Sequence, residues 1–276
     1  MADELAPGAY ARSLPLIDGA PFRYSTLVLR AIVAGTCPGR VWMDDADHPA
    51  AALMWDRGGY YFLLGDAHDS HFNSALGQLI AAEVAPQAAA RGFTAFKVDY
   101  SSDDWAERVP AIFGAAALVE RERVCLALDR PRLTDWAARI PDGYQLRRVD
   151  SALLADLDRA SRAALAGEIA CCWRSIEDFL GQGFGFCVVR GEELVAWSTA
   201  EYVSGRDTGI GIETKEEYRG RGFATAAAAA FVDHCLARGL RPYWDSWRSN
   251  APSVAVARKV GFRELLGYTV HLGRFA

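Results

Sequence analysis

The chain has 276 residues, of which 51% are hydrophobic and 24% charged, so it can bury substantial cores and has no compositional bias toward disorder. This length suits two domains of ordinary size. The net charge of −5 argues against non-specific nucleic-acid binding, and no apolar run is long enough to span a bilayer. We therefore expect a cytoplasmic protein with no membrane or nucleic-acid partner.

The first half predicts three strands, a long helix, a strand, a short helix and a final strand region, in that order. The long helix is indicated by apolar residues that recur at helical spacing. The predicted ranges are Arg40–Asp44, Ala51–Trp55, Tyr60–Leu64, Phe72–Arg91, Phe93–Tyr100, Trp105–Phe113 and Ala117–Leu128.

A segment with Pro131, Pro141 and Gly143 surrounds a short helical stretch, Leu133–Ile140, and is typical of a linker. We therefore predict a first domain over residues 1–130, a linker over 131–143 and a second domain over 144–276.

The second half repeats the order of strands and helices found in the first, without clear sequence identity between the halves. This order favours an α/β fold, with a mixed sheet and flanking helices in each half. The predicted ranges are Tyr144–Val149, Ser151–Ala166, Ser175–Leu180, Phe184–Arg190, Leu194–Tyr202, Thr208–Thr214, Phe223–Arg238, Arg241–Trp247, Ala251–Val260 and Phe262–Leu272.

A turn with Arg219, Gly220, Arg221 and Gly222 stands between a strand and an alanine-rich helix. Such a turn directs backbone amides and the positive end of the helix dipole at one position. The glycines let a bulky anion approach, and the arginines add charge, so a pyrophosphate would fit. Taken alone, the pattern is equally compatible with an ordinary strand-to-helix turn that carries surface arginines.

A second segment about thirty residues later begins with Asn250 and ends with Gly261 and Phe262. Together the two segments resemble the signature segments of the GNAT superfamily of N-acyltransferases. Further matches resemble a bacterial branch of GNAT acetyltransferases and cover essentially the whole C-terminal half, with a looser match over the N-terminal half. The matching segments are Trp173–Leu180, Gly183–Cys187, Ile210–Thr214 and Pro242–Trp244, and more loosely Val41–Asp45, His48, Pro49, Gly65, Asp66, Phe72 and Asn73.

The resemblance implies two tandem GNAT-like domains, of which the second binds acetyl-CoA or another acyl-CoA. In this superfamily the strand before the loop splays from its neighbour and receives the pantetheine arm of the cofactor. The implied cofactor-binding residues are Ile212, Glu213 and Thr214 for pantetheine; Arg219, Gly220, Arg221, Gly222, Phe223, Ala224 and Thr225 for the pyrophosphate; and Asn250 and Ser253 near the thiol. Asn250 is equally well interpreted as a helix N-cap.

Transfer to an amine requires a group that removes a proton. Asp245 lies where related enzymes often carry a catalytic carboxylate, and it is the first candidate, although it could instead hold the loop after its strand. Glu213, beside the implied cofactor arm, is the second candidate. Glu201 is the third, with a solvated or arginine-paired surface role as the alternative.

One position departs from the family pattern. Many relatives carry a tyrosine that protonates the leaving thiolate, and here that position is Ala257. Either Tyr268 or Ser253 replaces it, or coenzyme A leaves without a dedicated acid. Cys171 and Cys172 could suggest a covalent acyl carrier, but a buried pair on a helix is the favoured interpretation.

The first half carries acidic residues, Asp66 and Asp69, at the position equivalent to the arginine turn, and they would repel a pyrophosphate. We therefore expect a degenerate GNAT-like copy that forms one wall of the acceptor pocket or packs against the second half. The irregular spacing of His48, His68 and His71 favours a surface loop over a metal site. The six scattered cysteines predict reduced, mostly buried thiols and no zinc site.

The sequence therefore predicts an enzyme that moves an acetyl or other acyl group from acyl-CoA directly to a primary amine of a small molecule. Two alternatives stay open. The first is a transferase with another acyl donor, such as aminoacyl-tRNA, and the second is a non-catalytic sensor of coenzyme A. No motif specifies the acceptor amine or the oligomeric state.

Overall fold

The computed structural model describes residues 1–114 and 118–274. The chain divides into two compact units, the first formed by Met1–Arg123 with Tyr268–Ala276 and the second by Val124–Gly267. Within the described ranges, no helix combines the length and hydrophobicity that crossing a membrane requires.

The first unit begins with helices that the sequence analysis did not predict. Most residues of α2 are apolar and buried, so the segment lacks the alternation of polar and apolar positions that marks a surface helix. These first elements are β1 (Asp3–Glu4), a 3-10 helix (Pro7–Ser13), α1 (Leu14–Gly19) and α2 (Ser25–Ala34).

The rest of the first unit follows the predicted order. The helix predicted over Phe72–Arg91 contains a π-helical turn just before Pro86, whose missing amide hydrogen disturbs the regular ladder. The start predicted for the last strand, Ala117, lies outside the described residues. The elements are β2 (Arg40–Met43), β3 (Ala51–Trp55), β4 (Tyr60–Gly65), α3 (Ser70–Leu79), the π turn (Ile80–Val84), α4 (Ala85–Ala90), β5 (Ala95–Tyr100), a 3-10 turn (Asp103–Trp105), α5 (Val109–Phe113) and β6 (Val119–Leu128).

The second unit confirms most predicted elements and changes one. The single helix predicted over Ser151–Ala166 is two helices, because the Asp158 carboxylate accepts a hydrogen bond from the Ser161 amide and caps a new helix. The elements are a 3-10 turn (Trp136–Arg139), β7 (Gln145–Arg148), α6 (Ser151–Asp156), α7 (Arg159–Cys172), α8 (Ile176–Gln182), β8 (Gly185–Arg190), β9 (Glu193–Ser204), β10 (Asp207–Thr214), a 3-10 turn (Glu216–Tyr218), α9 (Phe223–Ala237), β11 (Arg241–Trp247), α10 (Ala251–Val260) and β12 (Phe262–Arg274).

The two units share one strand plan, which confirms the predicted repeat of an α/β design. In the first unit, β2, β3 and β4 are antiparallel neighbours and β5 is parallel to β4. In the second unit, β8, β9 and β10 are antiparallel neighbours and β11 is parallel to β10. Strand β7 extends the second sheet, and residues 271–274 of β12 pair with β5 in the first.

Each unit has its own apolar core. In the first, Trp42, Trp55 and Tyr61 are buried, whereas Tyr60 is partly exposed and the Lys97 ammonium lies 3.8 Å from its ring centre. In the second, the five consecutive alanines 226–230 of α9 are buried, so the helix packs closely on its sheet. Five of the six cysteines are buried, but Cys171 is exposed, so the prediction of a buried Cys171–Cys172 pair is wrong for that residue.

Candidate active site

The turn before α9 has the backbone geometry predicted for an anion site. Gly220 and Gly222 have φ angles of 78° and 86°, a left-handed region that glycine enters without strain. A Cβ added at either glycine would meet nothing within 4 Å. Gly222 is the N-cap of α9, and no side chain caps the helix. The first amides of a fifteen-residue helix therefore face an open turn, together with the positive end of its dipole.

The two arginines of the turn are exposed. Arg219 forms a 3.3 Å ion pair with Glu213, and both side chains are solvent-accessible. Because exposed ion pairs contribute only about 0–1 kcal/mol, Arg219 can exchange this carboxylate for a phosphate. Arg221 donates a 3.3 Å hydrogen bond to the Tyr144 hydroxyl and lies 5.5 Å from the Tyr218 ring centre.

Buried aromatic residues next to the turn hold it in place. Phe223, the first residue of α9, is buried and its ring centre lies 4.6 Å from that of Tyr144. Tyr218 is also buried, and its hydroxyl donates a 2.8 Å hydrogen bond to Glu193. Lys215 pairs with the same carboxylate at 3.3 Å. The turn is therefore anchored on both sides, which preorganises its amides.

Strand β10 splays from β11, as the family resemblance implies. Their paired residues run from Asp207 with Arg241 to Gly209 with Tyr243. Beyond that point β10 continues to Thr214 with partners on β9 only, within the part of the chain that the structure describes. One backbone edge of residues 210–214 therefore has no partner strand among the described residues, and the strand ends shortly before the glycine turn.

The edge of β10 carries polar groups that suit a peptide-like ligand. The Thr214 amide donates a 3.0 Å hydrogen bond to the carboxylate of its neighbour Glu213. The Thr214 hydroxyl is buried and has no hydrogen-bond partner among the described residues. Ile212 and Thr214 are half-buried, and Glu213 is exposed. These are the three residues that the resemblance places beside pantetheine.

Asn250 acts as the N-cap of α10, because its side-chain oxygen accepts a 3.3 Å hydrogen bond from the Ser253 amide. The Ser253 hydroxyl in turn accepts a 3.0 Å hydrogen bond from the Trp244 indole. Trp244 is buried edge-on against Phe262. The structure thus assigns both polar residues a local role at the start of α10, and their predicted position near the thiol stays a prediction.

The two candidates for the general acid, Tyr268 and Ser253, belong to different units of the chain. Ala257, which stands at the family's tyrosine position, is fully buried. Tyr268 belongs to the first unit, where it is largely buried and the Arg23 guanidinium lies 5.5 Å from its ring centre. The other predicted site residues belong to the second unit.

The three predicted carboxylates share one face of the second sheet. Gly209 on β10 is in register with Tyr243, and side chains alternate along a strand, so Asp245 points to the same side as Gly211 and Glu213. Glu201 lies on this side as well, because it follows Thr199, the partner of Gly211, by two residues, and its Oε1 lies 3.1 Å from the position of a Cβ added to Gly211. We call this side the carboxylate face.

A fourth carboxylate, Glu168 of α7, completes this face and was missed by the sequence analysis. Its Oε1 lies 3.0 Å from the same added Cβ position on Gly211, so the absence of a side chain there makes room for it. Burial and the neighbouring charge of Glu201, with a further contribution from Glu213, raise the pKa of Glu168 to about 7. A signal existed in the sequence, since Glu168 lies between the buried helix positions Leu165 and Cys172.

No group of three or more His, Cys, Asp or Glu side chains among the described residues has the arrangement of a metal site. The three histidines of the first half, at positions 48, 68 and 71, are all exposed. His48 and His68 lie in loops as predicted, whereas His71 lies in the first turn of α3, so the surface-loop interpretation is wrong for that residue.

The first unit lacks the open turn. The Asp69 carboxylate caps α3 by accepting hydrogen bonds from the His71 and Phe72 amides at 2.9 and 3.0 Å, and Asp66 accepts one from the His68 amide at 2.8 Å. Carboxylates of the chain thus occupy the amides that an anion would need. Strands β4 and β5 also stay paired from Tyr60 to Leu63, so β4 has no splayed edge there.

Comparisons with known proteins agree with this geometry. The family model of GNAT acetyltransferases matches residues 15–271. The chain is 28% identical over 268 residues to the uncharacterized N-acetyltransferase YdfB of Bacillus subtilis (strain 168), which covers 97% of each chain.

Two solved structures share the fold. A GCN5-related N-acetyltransferase-like protein from Streptococcus suis 89/1591 has a TM-score of 0.70 at 21% identity, with 95% of this chain and 97% of the other covered. A tandem GNAT protein from the clavulanic acid biosynthesis pathway has a TM-score of 0.61 at 14% identity, with 99% and 98% covered. The open glycine turn, the splayed strand and the family match over nearly the whole chain lead to one conclusion: the protein belongs to the GNAT acetyltransferase family and is a GNAT-type N-acetyltransferase.

Proposed function

We propose that this protein transfers an acetyl group from acetyl-CoA, or another acyl group from its CoA thioester, directly to a primary amine of a small molecule. The observation that carries the proposal is the uncapped start of α9 behind Gly220 and Gly222, beside the splayed edge of β10. The amides of residues 219–225 hold the diphosphate, and Arg219 and Arg221 add two exposed positive charges.

The donor's pantetheine arm lies along the edge of β10 in this proposal. Its amide groups pair with the exposed backbone of residues 212–214, in the way that an added strand pairs with a sheet edge. Arg219 leaves Glu213 for a phosphate oxygen, which frees that carboxylate on the acceptor side. The first unit, whose equivalent amides are capped by Asp66 and Asp69, does not bind coenzyme A.

The reaction joins the amine nitrogen to the carbonyl carbon of the thioester. The nitrogen lone pair forms the C–N bond, the C–S bond breaks, and the sulfur keeps the bonding electrons. The nitrogen loses a proton as it becomes an amide, and the thiolate gains one through water. Asp245, Glu213 and Glu201 stand on the carboxylate face as groups that can accept protons from the amine.

Titration calorimetry with coenzyme A and acetyl-CoA tests donor binding, and a thiol-release assay across a panel of primary amines tests transfer. We expect both ligands to bind and thiol to appear only when an amine is present. Absence of binding by either ligand refutes the proposal. Binding without release by any amine supports the coenzyme A sensor, and transfer from aminoacyl-tRNA but not from acetyl-CoA supports the other donor.

A further inference from the structure

We propose that Arg190 and Arg221, with the Tyr144 hydroxyl, bind the ribose 3′-phosphate of coenzyme A, and that the protein thereby selects coenzyme A thioesters over donors that lack this phosphate. The inference rests on the proposed function and deepens it, because it names the part of the donor that decides recognition. We call these three residues, together with Tyr218, the arginine–tyrosine cluster.

The cluster is compact and lies next to the glycine turn. The guanidinium carbons of Arg190, the last residue of β8, and of Arg221 lie 5.2 and 5.5 Å from the centre of the Tyr218 ring. Arg221 donates a 3.3 Å hydrogen bond to the Tyr144 hydroxyl, and the Tyr144 ring packs on Phe223 at the start of α9. Because cations within about 6 Å of an aromatic ring are attracted to it, Tyr218 holds both guanidinium groups beside the start of α9.

Arg221 brings a positive charge that no carboxylate contacts. Its side chain bonds to Tyr144, and it forms no ion pair with any described residue. Arg190 does have an acidic partner, Glu193, at 2.8 Å, but the same carboxylate also accepts a 3.3 Å hydrogen bond from Lys215. Two cations therefore share one carboxylate next to a third cation that has none.

Other acidic residues near the cluster leave this charge in place. Glu216 and Glu217 precede Tyr218 in its 3-10 turn, but both are exposed and their side chains form no ion pair among the described residues. The pKa of Asp158 is lowered mainly by a hydrogen bond from the Ser161 amide and, more weakly, by Lys215, so Asp158 offsets that ammonium and not Arg221. The positive charge of Arg221 is available to an anion.

The two arginines of the turn reach different neighbours. Arg219 pairs with Glu213 on β10, whose edge receives pantetheine in our proposal, whereas Arg221 reaches Tyr144 and the Tyr218 ring. Coenzyme A carries its pantetheine arm, its diphosphate and its ribose 3′-phosphate in that order. The protein presents the edge of β10, the amides of the turn and the arginine–tyrosine cluster in the same order, so the third group of the ligand meets the cluster.

The donors of the cluster suit a phosphomonoester, which carries a charge of about −1.5 to −2 at pH 7 and three acceptor oxygens. A guanidinium group has five N–H donors in a planar fork, so Arg190 can keep Glu193 and still donate to a phosphate. The Tyr144 hydroxyl accepts its bond from Arg221 and keeps its own proton to donate. Two charged donors and one neutral donor thus match the three phosphate oxygens.

Selectivity for the donor follows from this match. Dephospho-coenzyme A keeps the diphosphate but lacks the 3′-phosphate, and the phosphopantetheine of an acyl-carrier protein lacks the whole adenosine part. Both leave the cluster hydrated and lose the charge-assisted hydrogen bonds that coenzyme A gains there.

Titration calorimetry with coenzyme A and with dephospho-coenzyme A gives two Kd values, and their ratio isolates the contribution of the 3′-phosphate. The wild type should bind coenzyme A at least tenfold more tightly, or about 1.4 kcal/mol. Arg221→Gln and Arg190→Gln should each reduce this preference at least about threefold, because each removes a charged donor. Tyr144→Phe should reduce it less, because the donor that it removes is neutral.

Arg219→Gln is the matched control in the same turn. It faces the diphosphate, which both ligands carry, so it should weaken both by one factor and leave the ratio unchanged. A second control, Arg258→Gln on the exposed side of α10, removes the same charge elsewhere and should leave both Kd values unchanged.

The inference is overturned, with the proposed function intact, if the wild type binds the two ligands equally tightly. It is also overturned if the Arg221 and Arg190 variants keep the wild-type ratio, or if Arg258→Gln reduces the ratio as much as they do. If the wild type binds neither ligand, the proposed function fails and this inference fails with it.

Discussion

Replacing Gly222 with alanine should weaken coenzyme A binding well beyond the small loss of stability that it causes. The residue has a φ of 86°, and an added Cβ meets no atom within 4 Å. The structural cost is therefore the left-handed backbone alone, about 1–2 kcal/mol. For a chain of this size, that corresponds to a fall of about 2–8 °C in Tm.

The chain provides a matched control in Gly205, in the turn at the opposite end of β10. Gly205 has a φ of 59°, and an added Cβ there also meets nothing within 4 Å. Gly205→Ala should therefore lower Tm by a similar amount. Because it lies away from the start of α9, its affinity for coenzyme A should equal that of the wild type.

The difference in coenzyme A affinity between the two variants separates the effect on the ligand contact from the effect on stability. At Gly222 the new methyl group lies beside the first amides of α9, and the strained backbone turns them from their shared direction. We expect the Kd for coenzyme A to rise at least tenfold, or about 1.4 kcal/mol, by titration calorimetry. If Gly222→Ala binds coenzyme A as tightly as Gly205→Ala, the diphosphate is not held at this turn.

Three further substitutions or conditions test the site. Gly211→Ala should lower kcat, measured by thiol release, at least tenfold with little change in Tm. The new Cβ would lie 3.0 Å from Glu168 Oε1 and 3.1 Å from Glu201 Oε1 and would push both carboxylates aside. An unchanged kcat contradicts this arrangement of the carboxylates. Asn250→Ala should cost about 0.5–2 kcal/mol in denaturant unfolding through loss of the cap on the Ser253 amide, and Asn250→Asp should restore it. Since folding raises the pKa of Glu168 from 4.5 to about 7, the folded state binds more protons in that range, so the free energy of unfolding should decrease as pH rises through it. Urea titrations should find a smaller decrease in Glu168→Gln, and an equal decrease contradicts the raised pKa.

Sequence reasoning succeeded where the relevant interactions are local. The glycine turn before α9 and the Asn250 cap each depend on a few consecutive residues, and the structure has both. The order of strands was also predictable, because alternating apolar residues and turn glycines mark each strand separately. The repeat of this order in two halves followed without any knowledge of the packing.

It failed where neighbours distant in the chain decide the outcome. Tertiary packing buries helix α2 on most sides, and its residues are apolar on most sides as well. Its sequence therefore lacks the polar and apolar faces that would have predicted a helix. Glu168 was overlooked because its half-buried place and its two acidic neighbours come from other elements. Asp245 was favoured by family position alone, and its role as base stays a prediction.

The sequence by itself determined the open glycine turn before α9, since φ angles above zero, a free helix start and flanking arginines are properties of one short segment. Only the tertiary structure decided which carboxylates meet. Glu168 stands on helix α7, Glu201 on strand β9 and Gly211 on strand β10, and these elements meet only in the folded protein. A carboxyl group's pKa depends on burial and on charges within a few ångströms, and folding alone brings those charges together.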